Sequence, residues 1–212
     1  MTVEEILKRV HRKFEGDTDY PESGDEDLLT RIDFLNDAIE EWEGKVREGV
    51  LWPELLEDAS VSCGGTGSDD MPDDFLVWAP QKEQAAIIKV GGSTYTVVDP
   101  KTGRRHEQEN LEGHIAWAEG GTLRTLPAAN GTATFPYIKS ATRYETGSET
   151  TEPECPNHKF LEKYVLAQLY LSDDDLTQFE ANSLDAGEKL EDMTLPYIVD
   201  VPKDDDGWGF GM

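Results

Sequence analysis

The sequence predicts an α+β chain. It should hold an N-terminal helix pair, a central antiparallel β-domain (a small sandwich or barrel), a C-terminal helical hairpin and an extended C-terminal arm. Three observations predict this. Apolar residues recur at helical spacing through residues 1–50, short β-type runs punctuated by Gly, Pro and Asn follow, and helical spacing returns after Pro156. The expected segments are 1–50, 51–155, 156–194 and 195–212, with the hairpin packing on the N-terminal helices.

Val3, Ile6, Leu7 and Val10 mark the first helix, and Thr2 with Glu5 has the pattern of a capping box at its start. Residues 15–24, rich in Gly, Asp, Ser and Pro, read as a loop. Ser23 and Glu26 suggest a second capping box. Leu28, Ile32, Leu35, Ile39 and Trp42 then form one apolar stripe, on a helix running to about Arg47.

After Trp52-Pro53 the run SCGGTGSDDMPDD (residues 62–74) is too polar and Gly-rich to predict regular structure. The β-type segments are Phe75–Ala79, Gln84–Val90, Ser93–Val98, His114–Ala118, Thr122–Leu126 and Thr132–Lys139. Turn signals separate them at Gly91-Gly92, Pro100-Lys101-Thr102-Gly103, Gly120-Gly121 and Asn130-Gly131.

Phe160–Leu171 is apolar around most of its circumference and predicts a helix buried on several sides. Ser172 and Asp173–Asp175 cap the next one. Leu176, Phe179, Ser183, Ala186, Leu190 and Met193 follow as a heptad-like seam that needs a facing helix. Gly187 weakens that helix by about 1 kcal/mol relative to Ala and suggests a close contact. From Leu195 onward the chain reads as extended. Trp208, Phe210 and Met212 alternate there with glycines, as anchors of an arm that docks on another subunit would; the alternative is that the arm folds back on its own β-domain.

Charge excludes several function classes. The 212 residues carry 45 acids and 19 bases, a formal charge of -26, with 37% hydrophobic residues against about 45–50% in ordinary domains. Such a surface repels nucleic acid phosphates and anionic lipid. There is no apolar run of about 20 residues and no signal-peptide pattern, so the expectation is a soluble, unsecreted protein. The excess is even: residues 1–50 carry net -8, 51–155 net -9 and 156–212 net -9. An acidic tail would concentrate it. Even spreading fits adaptation to molar salt, where the Debye length falls to about 3 Å, better than a single basic partner. Cys63 and Cys155 are too few for a disulfide framework or thiolate zinc site and read as reduced and structural.

Four patterns invite chemistry and none completes it. Gly64-Gly65-Thr66-Gly67-Ser68 resembles a phosphate loop but lacks the Lys, and Asp69-Asp70 follows it. Asp69, Asp70, Asp73 and Asp74 lack Ca²⁺-loop spacing, as do Asp204–Asp206, and read as solvated faces. His11, His106, His114 and His158 show no metal-ligand spacing. Asn130-Gly131-Thr132 is both a glycosylation sequon and a turn, and the turn is the favoured reading. The expectation is a non-enzyme without metal or cofactor.

The order of segments carries a resemblance. The N-terminal helices end in DAIEEWEGKV and lead to Val50-Leu51-Trp52-Pro53, then a polar loop into MPDDFLVW. A hairpin-rich region, FPYIKSATRYET, an acidic Pro-containing linker and the closing pair NHKFLEKYVLAQLYL and SDDDLTQFEANSLDAGEKLEDM complete it. This resembles the head–tail connector (adaptor, or neck) proteins of tailed bacterial and archaeal viruses. Pro72-Asp73-Asp74-Phe75 matches their entry to the sheet, Phe135-Pro136-Tyr137 the aromatic strand, and Leu161–Leu171, Asp173–Asp175 and Phe179 the last two helices. The chain departs from the family in its longer Gly-rich loop and its acidity.

The resemblance implies a virion protein, assembled in the host cytoplasm, that forms a ring of commonly twelve copies below the portal. It would extend the DNA channel without gripping DNA. Partners would be itself, the portal protein and a tail completion or next neck protein, with no membrane. Leu176, Phe179, Leu190 and Met193 would lie on ring-packing helices, and Tyr197, Trp208, Phe210 and Met212 on a portal-docking arm. The acidity suits a virus of a halophilic host such as a haloarchaeon. A different reading is an attachment or binding module acting through loops 62–74 and 100–113; a hydrolase built on Asp69–Asp74 is a third.

Overall fold

Thr2 opens the first helix as the sequence predicts. In the computed structural model, which describes residues 1–79 and 86–198, both halves of its capping box form: Thr2 Oγ1 accepts from Glu5 N–H, and Glu5 Oε2 accepts from Thr2 N–H. Helix α1 (Val3–Phe14) buries Val3, Ile6, Leu7 and Val10 completely, each contributing roughly 1.5–3 kcal/mol of hydrophobic stabilisation. Helix α2 (Glu26–Gly44) buries Leu28, Ile32, Leu35, Ile39 and Trp42 and ends in a 3-10 turn, Lys45–Glu48. The expected Ser23–Glu26 box does not form. The helix begins two residues later than the box requires, so Glu26 stands at its first position rather than its third, and the N-cap Asp25 accepts from Glu22 N–H at 2.8 Å instead.

The described chain is mixed α/β, with five α-helices and a nearly closed barrel of mixed strands. It divides into two compact units: residues 1–50 with 141–198, and residues 51–140. The β-unit therefore ends at Ser140 rather than at 155. The reason is hydrogen bonding. Tyr144 N–H donates to Asn36 Oδ1 at 2.8 Å, and Thr151 and Glu149 carbonyls accept from Val3 and Glu4 N–H, so residues 141–155 serve the helices.

The β-unit contains β1 (Leu56–Gly64), β2 (Ser68–Asp70), β3 (Phe75–Trp78), β4 (Ile87–Val90), β5 (Ser93–Val97), helix α3 (Pro100–Glu109), β6 (Ile115–Glu119), β7 (Thr122–Leu126) and β8 (Asn130–Lys139). The strand path is β1-β8-β4-β5-β6-β7-β2, with β3 paired to β8. Its interior holds Val61, Ile88, Val90, Tyr95, Val97, Leu123, Ala133 and Phe135. β1 and β2 meet where Gly64 N–H donates to Asp69 Oδ1 at 2.8 Å.

Four expectations need correction. The sheet is not wholly antiparallel: β5 and β6 run parallel, and parallel neighbours require a crossover. That crossover is α3, a ten-residue helix where Pro100–Gly103 suggested a turn; Asp99 caps it and Pro100 occupies its first turn. The Gly-rich run is less irregular than expected, since Ser62–Gly64 close β1 and Ser68–Asp70 form β2. Asn130-Gly131 is not a hairpin turn but the start of β8, in register with Gly64 and Cys63 of β1. Segment 84–90 is described only from Ala86, and its strand is β4.

Helix α4 (His158–Ser172) is buried on several sides through Phe160, Leu161, Val165, Leu166 and Leu169. Lys13 of α1 pairs with its Glu162, and Phe14 of α1 meets its Tyr170 edge-on at 5.1 Å. Its Lys163 pairs at 3.0 Å with Asp185 of α5 (Leu176–Thr194). The α5 residues turned inward are Asn182, Ala186, Leu190 and Thr194, and Leu176 is 59% exposed, so the heptad-like seam is only partly used. Gly187 makes no close contact: a Cβ there would meet nothing within 4 Å. No described helix is long and apolar enough to cross a membrane.

Candidate functional site

The Gly-rich loop closes on itself instead of forming a cradle. Gly65 and Gly67 take φ of +78° and +75°, Thr66 Oγ1 donates to the Ser68 carbonyl at 2.9 Å, and the Asp69 carboxylate occupies the Gly64 N–H that an anion would need. Burial first, and the Asp69 carboxylate second, push the neighbouring Cys63 thiol up to about 11, which keeps it protonated and unreactive.

The carboxylates of residues 69–74 diverge. Asp69 serves Gly64, Asp70 lies opposite Thr122 on β7, and Asp74 Oδ1 accepts from Tyr137 Oη at 2.8 Å. Burial, then the Asp74 hydrogen bond, raise the Tyr137 phenol to about 12. Asp73 lies beside a depression of about 310 Å³ lined with Met71, Phe75, Glu119 and Gly121. Arg104 and the Trp117 indole hold Glu119 below the usual carboxylate range. Phe75, Trp78, Phe135 and Tyr137 form an aromatic row next to it, with centroid separations of 4.9–6.4 Å.

The histidines are dispersed. His11 donates Nε2–H to Asp17 Oδ1 at 2.9 Å, His114 lies on the Tyr95 ring at 5.0 Å, and His106 is in α3. His158 opens α4, where burial first and the Met1 ammonium next lower its pKa. Among the described residues no group of three His, Cys, Asp or Glu is placed to hold a metal ion.

The residues expected to contact partners fall into three sets. Leu190 is buried against the chain's own helices, Phe179 and Met193 are half-buried, and Leu176 is exposed. Tyr197 is half-buried in a 3-10 turn, Leu195–Tyr197, after which Ile198 bridges to Val50. Trp208, Phe210, Met212 and Asp204–Asp206 lie outside the described residues.

Sequence reasoning missed the residues most free to meet a partner. On the outer face of α5, Leu184 is 67% exposed, and Leu195 beyond it 63%, with exposed Glu180, Glu188 and Glu191 between and beside them. On the outer face of α1, Glu5, Lys8, Arg9 and Arg12 line one shallow depression. The signals were present, as spacings of 184, 188, 191, 195 and of 5, 8, 9, 12, but apolar periodicity highlights only the inward face.

No protein-family model and no curated protein matches this chain.

Proposed function

We propose that this protein is a structural component of a virion: a head–tail connector that forms a ring below the portal, extends the DNA channel and joins capsid to tail. The observation that carries the reading is the outer face of α5, where Leu184 and Leu195, the most exposed large hydrophobic residues among those described, stand amid glutamates. A lone monomer gains nothing from solvated leucines on a helix, whereas a ring buries them against a neighbour. The segment order and its resemblance to connector proteins support the same role. So does the charge, since acidic walls let DNA slide without holding its phosphates.

In this reading the N-terminal helix pair and C-terminal hairpin form the ring body. The arm from Tyr197 to Met212 seats on the portal, with Trp208, Phe210 and Met212 as anchors. The next neck or tail completion protein meets the β-unit, and the molar salt of a halophilic host suits the acid excess. Co-expression with the portal protein of the same virus, followed by electron microscopy in molar salt, tests it. Rings on the portal are expected; a chain that never joins portal or virion particles overturns the proposal.

One observation favours a binding module instead. The depression beside Asp73, Phe75 and Glu119 lies next to a row of aromatic side chains, a combination suited to a small polar ligand with an apolar face. Particles carrying Phe75→Ala that assemble normally but lose attachment would favour that reading.

A further inference from the structure

We infer that copies of this chain associate head to tail, the basic outer face of α1 on one copy seating on the acidic, leucine-bearing outer face of α5 on the next. The inference deepens the connector reading by naming its contact surfaces, and it rests on that reading for the closed ring.

The chain holds 45 acids and 19 bases. Among the described residues neither Arg9 nor Arg12 forms an ion pair, and the two stand exposed side by side on one face of α1. They share their face of α1 with Lys8, whose ammonium is already paired with Glu4. Glu5 shares this face, so the patch is weakly basic and its unpaired cations are the two arginines.

The complementary patch is on α5. Leu184 and Leu195 project from its outer side, framed by Glu180, Glu188 and Glu191, none of which has an ion-pair partner among the described residues. The inward acid behaves differently: Asp185 is held by both Lys163 and Lys189. Within one chain the two patches do not neutralise each other: among the described residues no ion pair joins α1 to α5. Complementary patches that differ on one subunit give a heterologous contact, which closes as a ring when the rotation allows. The lysine and arginine stems also cover leucine well, since their methylenes pack on apolar surface while the charged heads reach the glutamates.

Duplex DNA is the competing occupant of the α1 patch. It is disfavoured because the patch is small and lies on a chain of net charge -26.

The test uses full-length chains carrying Arg9→Glu with Arg12→Glu, or Glu188→Arg with Glu191→Arg, or Leu184→Glu. Self-association is followed by sedimentation in molar salt and folding by thermal melting. Each variant should weaken association at least about tenfold, and an equimolar mixture of the two charge-reversed chains should restore it. Wild-type chains that stay monomeric at high concentration, or variants that associate as wild type does, overturn the inference. Two reassignments also overturn it. Duplex binding abolished by the arginine reversals with self-association unchanged gives the α1 patch to phosphates. A Leu184→Glu chain that associates normally but melts lower shows that α5's outer face is covered within its own chain. Rings that still form on the portal with both charge reversals defeat this inference and leave the connector reading standing. Wild-type pairing without portal binding does the reverse.

Discussion

The indole of Trp117 occupies the space a side chain on Gly103 would need. A Cβ on Gly103 would stand 2.4 Å from Trp117 Cδ2. This contact seats α3 on β6, and the ring is further pinned by its Nε1–H, which donates to Glu119 Oε2 at 3.2 Å. Alanine in a helix interior gains about 1 kcal/mol over glycine, but overpacking typically costs about 1–3 kcal/mol. The ring sits on a strand with no room to retreat, so the clash should win. Gly103→Ala should lower the denaturation midpoint, and an unchanged midpoint would mean α3 lifts freely from the sheet.

Gly187 gives the opposite sign for the same substitution. It lies within α5, with nothing within 4 Å of its would-be Cβ. Gly187→Ala should therefore stabilise the fold by about 0.5–1 kcal/mol, through lost unfolded-state entropy alone. Urea unfolding monitored by far-UV circular dichroism measures it; a loss of stability would place a neighbour there.

The two glycines also show where the sequence was legible. Helices α1, α2, α4 and α5 were visible because residues such as Ile32, Leu35 and Ile39 repeat along a buried face. Helix α3 was not, because PKTGRRHEQE has no apolar residue and buries only Gly103. Its sole sequence marks were the cap Asp99, Pro100 in the first turn and Asn110, left-handed at φ +51°, at its end. Strand β1 was hidden because its inward residues, Ala59, Val61 and Cys63, are small and alternate with polar ones. The parallel β5–β6 pair was beyond reach, since alternation reveals a strand but not its neighbour. Of the candidate surfaces, inward seam positions such as Leu190 were readable; that Arg9 and Arg12 share one exposed face of α1, and Leu184 lies on the outer face of α5, needed the fold.

Arg31 is 2% exposed, and its carboxylate partner among the described residues is Glu15, with Nη2 donating to Oε1 at 3.0 Å. Burial is asymmetric: the Glu15 side chain keeps 40% of its surface in water. Removing the carboxylate strands a charge in the interior, whereas removing the arginine leaves a carboxylate that water can solvate. Glu15→Gln should therefore destabilise more than Arg31→Met, by about 1–3 kcal/mol. Equal losses in paired urea titrations would show that water, rather than Glu15, satisfies the guanidinium.

His158 predicts part of the acid sensitivity. Burial and the nearby Met1 ammonium place its folded pKa below the ordinary 6.5. Above that value the ring is neutral in both states and contributes nothing. As pH falls through 6.5 the unfolded chain takes up the proton first, so stability drops until the folded ring also titrates. His158→Gln should flatten the fall in melting temperature below that pH. A variant with the wild-type slope would move the acid response to other groups.

Salt should stabilise this chain because of where its acids sit. Asp33, Asp37, Glu40 and Glu41 are all exposed on α2, with Asp33 to Asp37 and Asp37 to Glu41 four residues apart, and the last turn of the helix carries no basic residue to offset them. Like charges at that spacing repel across one helical turn, and the net charge of -26 adds the same penalty over the whole surface. Raising salt from about 0.1 M to about 1 M shortens the Debye length from about 10 Å to about 3 Å. The melting temperature should therefore rise steeply with KCl. Surface ion pairs such as Lys45–Glu48 weaken over the same range, but exposed pairs contribute at most about 1 kcal/mol each, so repulsion should dominate. Replacing Asp33, Asp37, Glu40 and Glu41 with Asn or Gln should raise the low-salt melting temperature by a few degrees and shrink its salt dependence. A melting temperature that falls with added KCl would show that attraction between charges outweighs their repulsion, and with it the halophilic reading would fail.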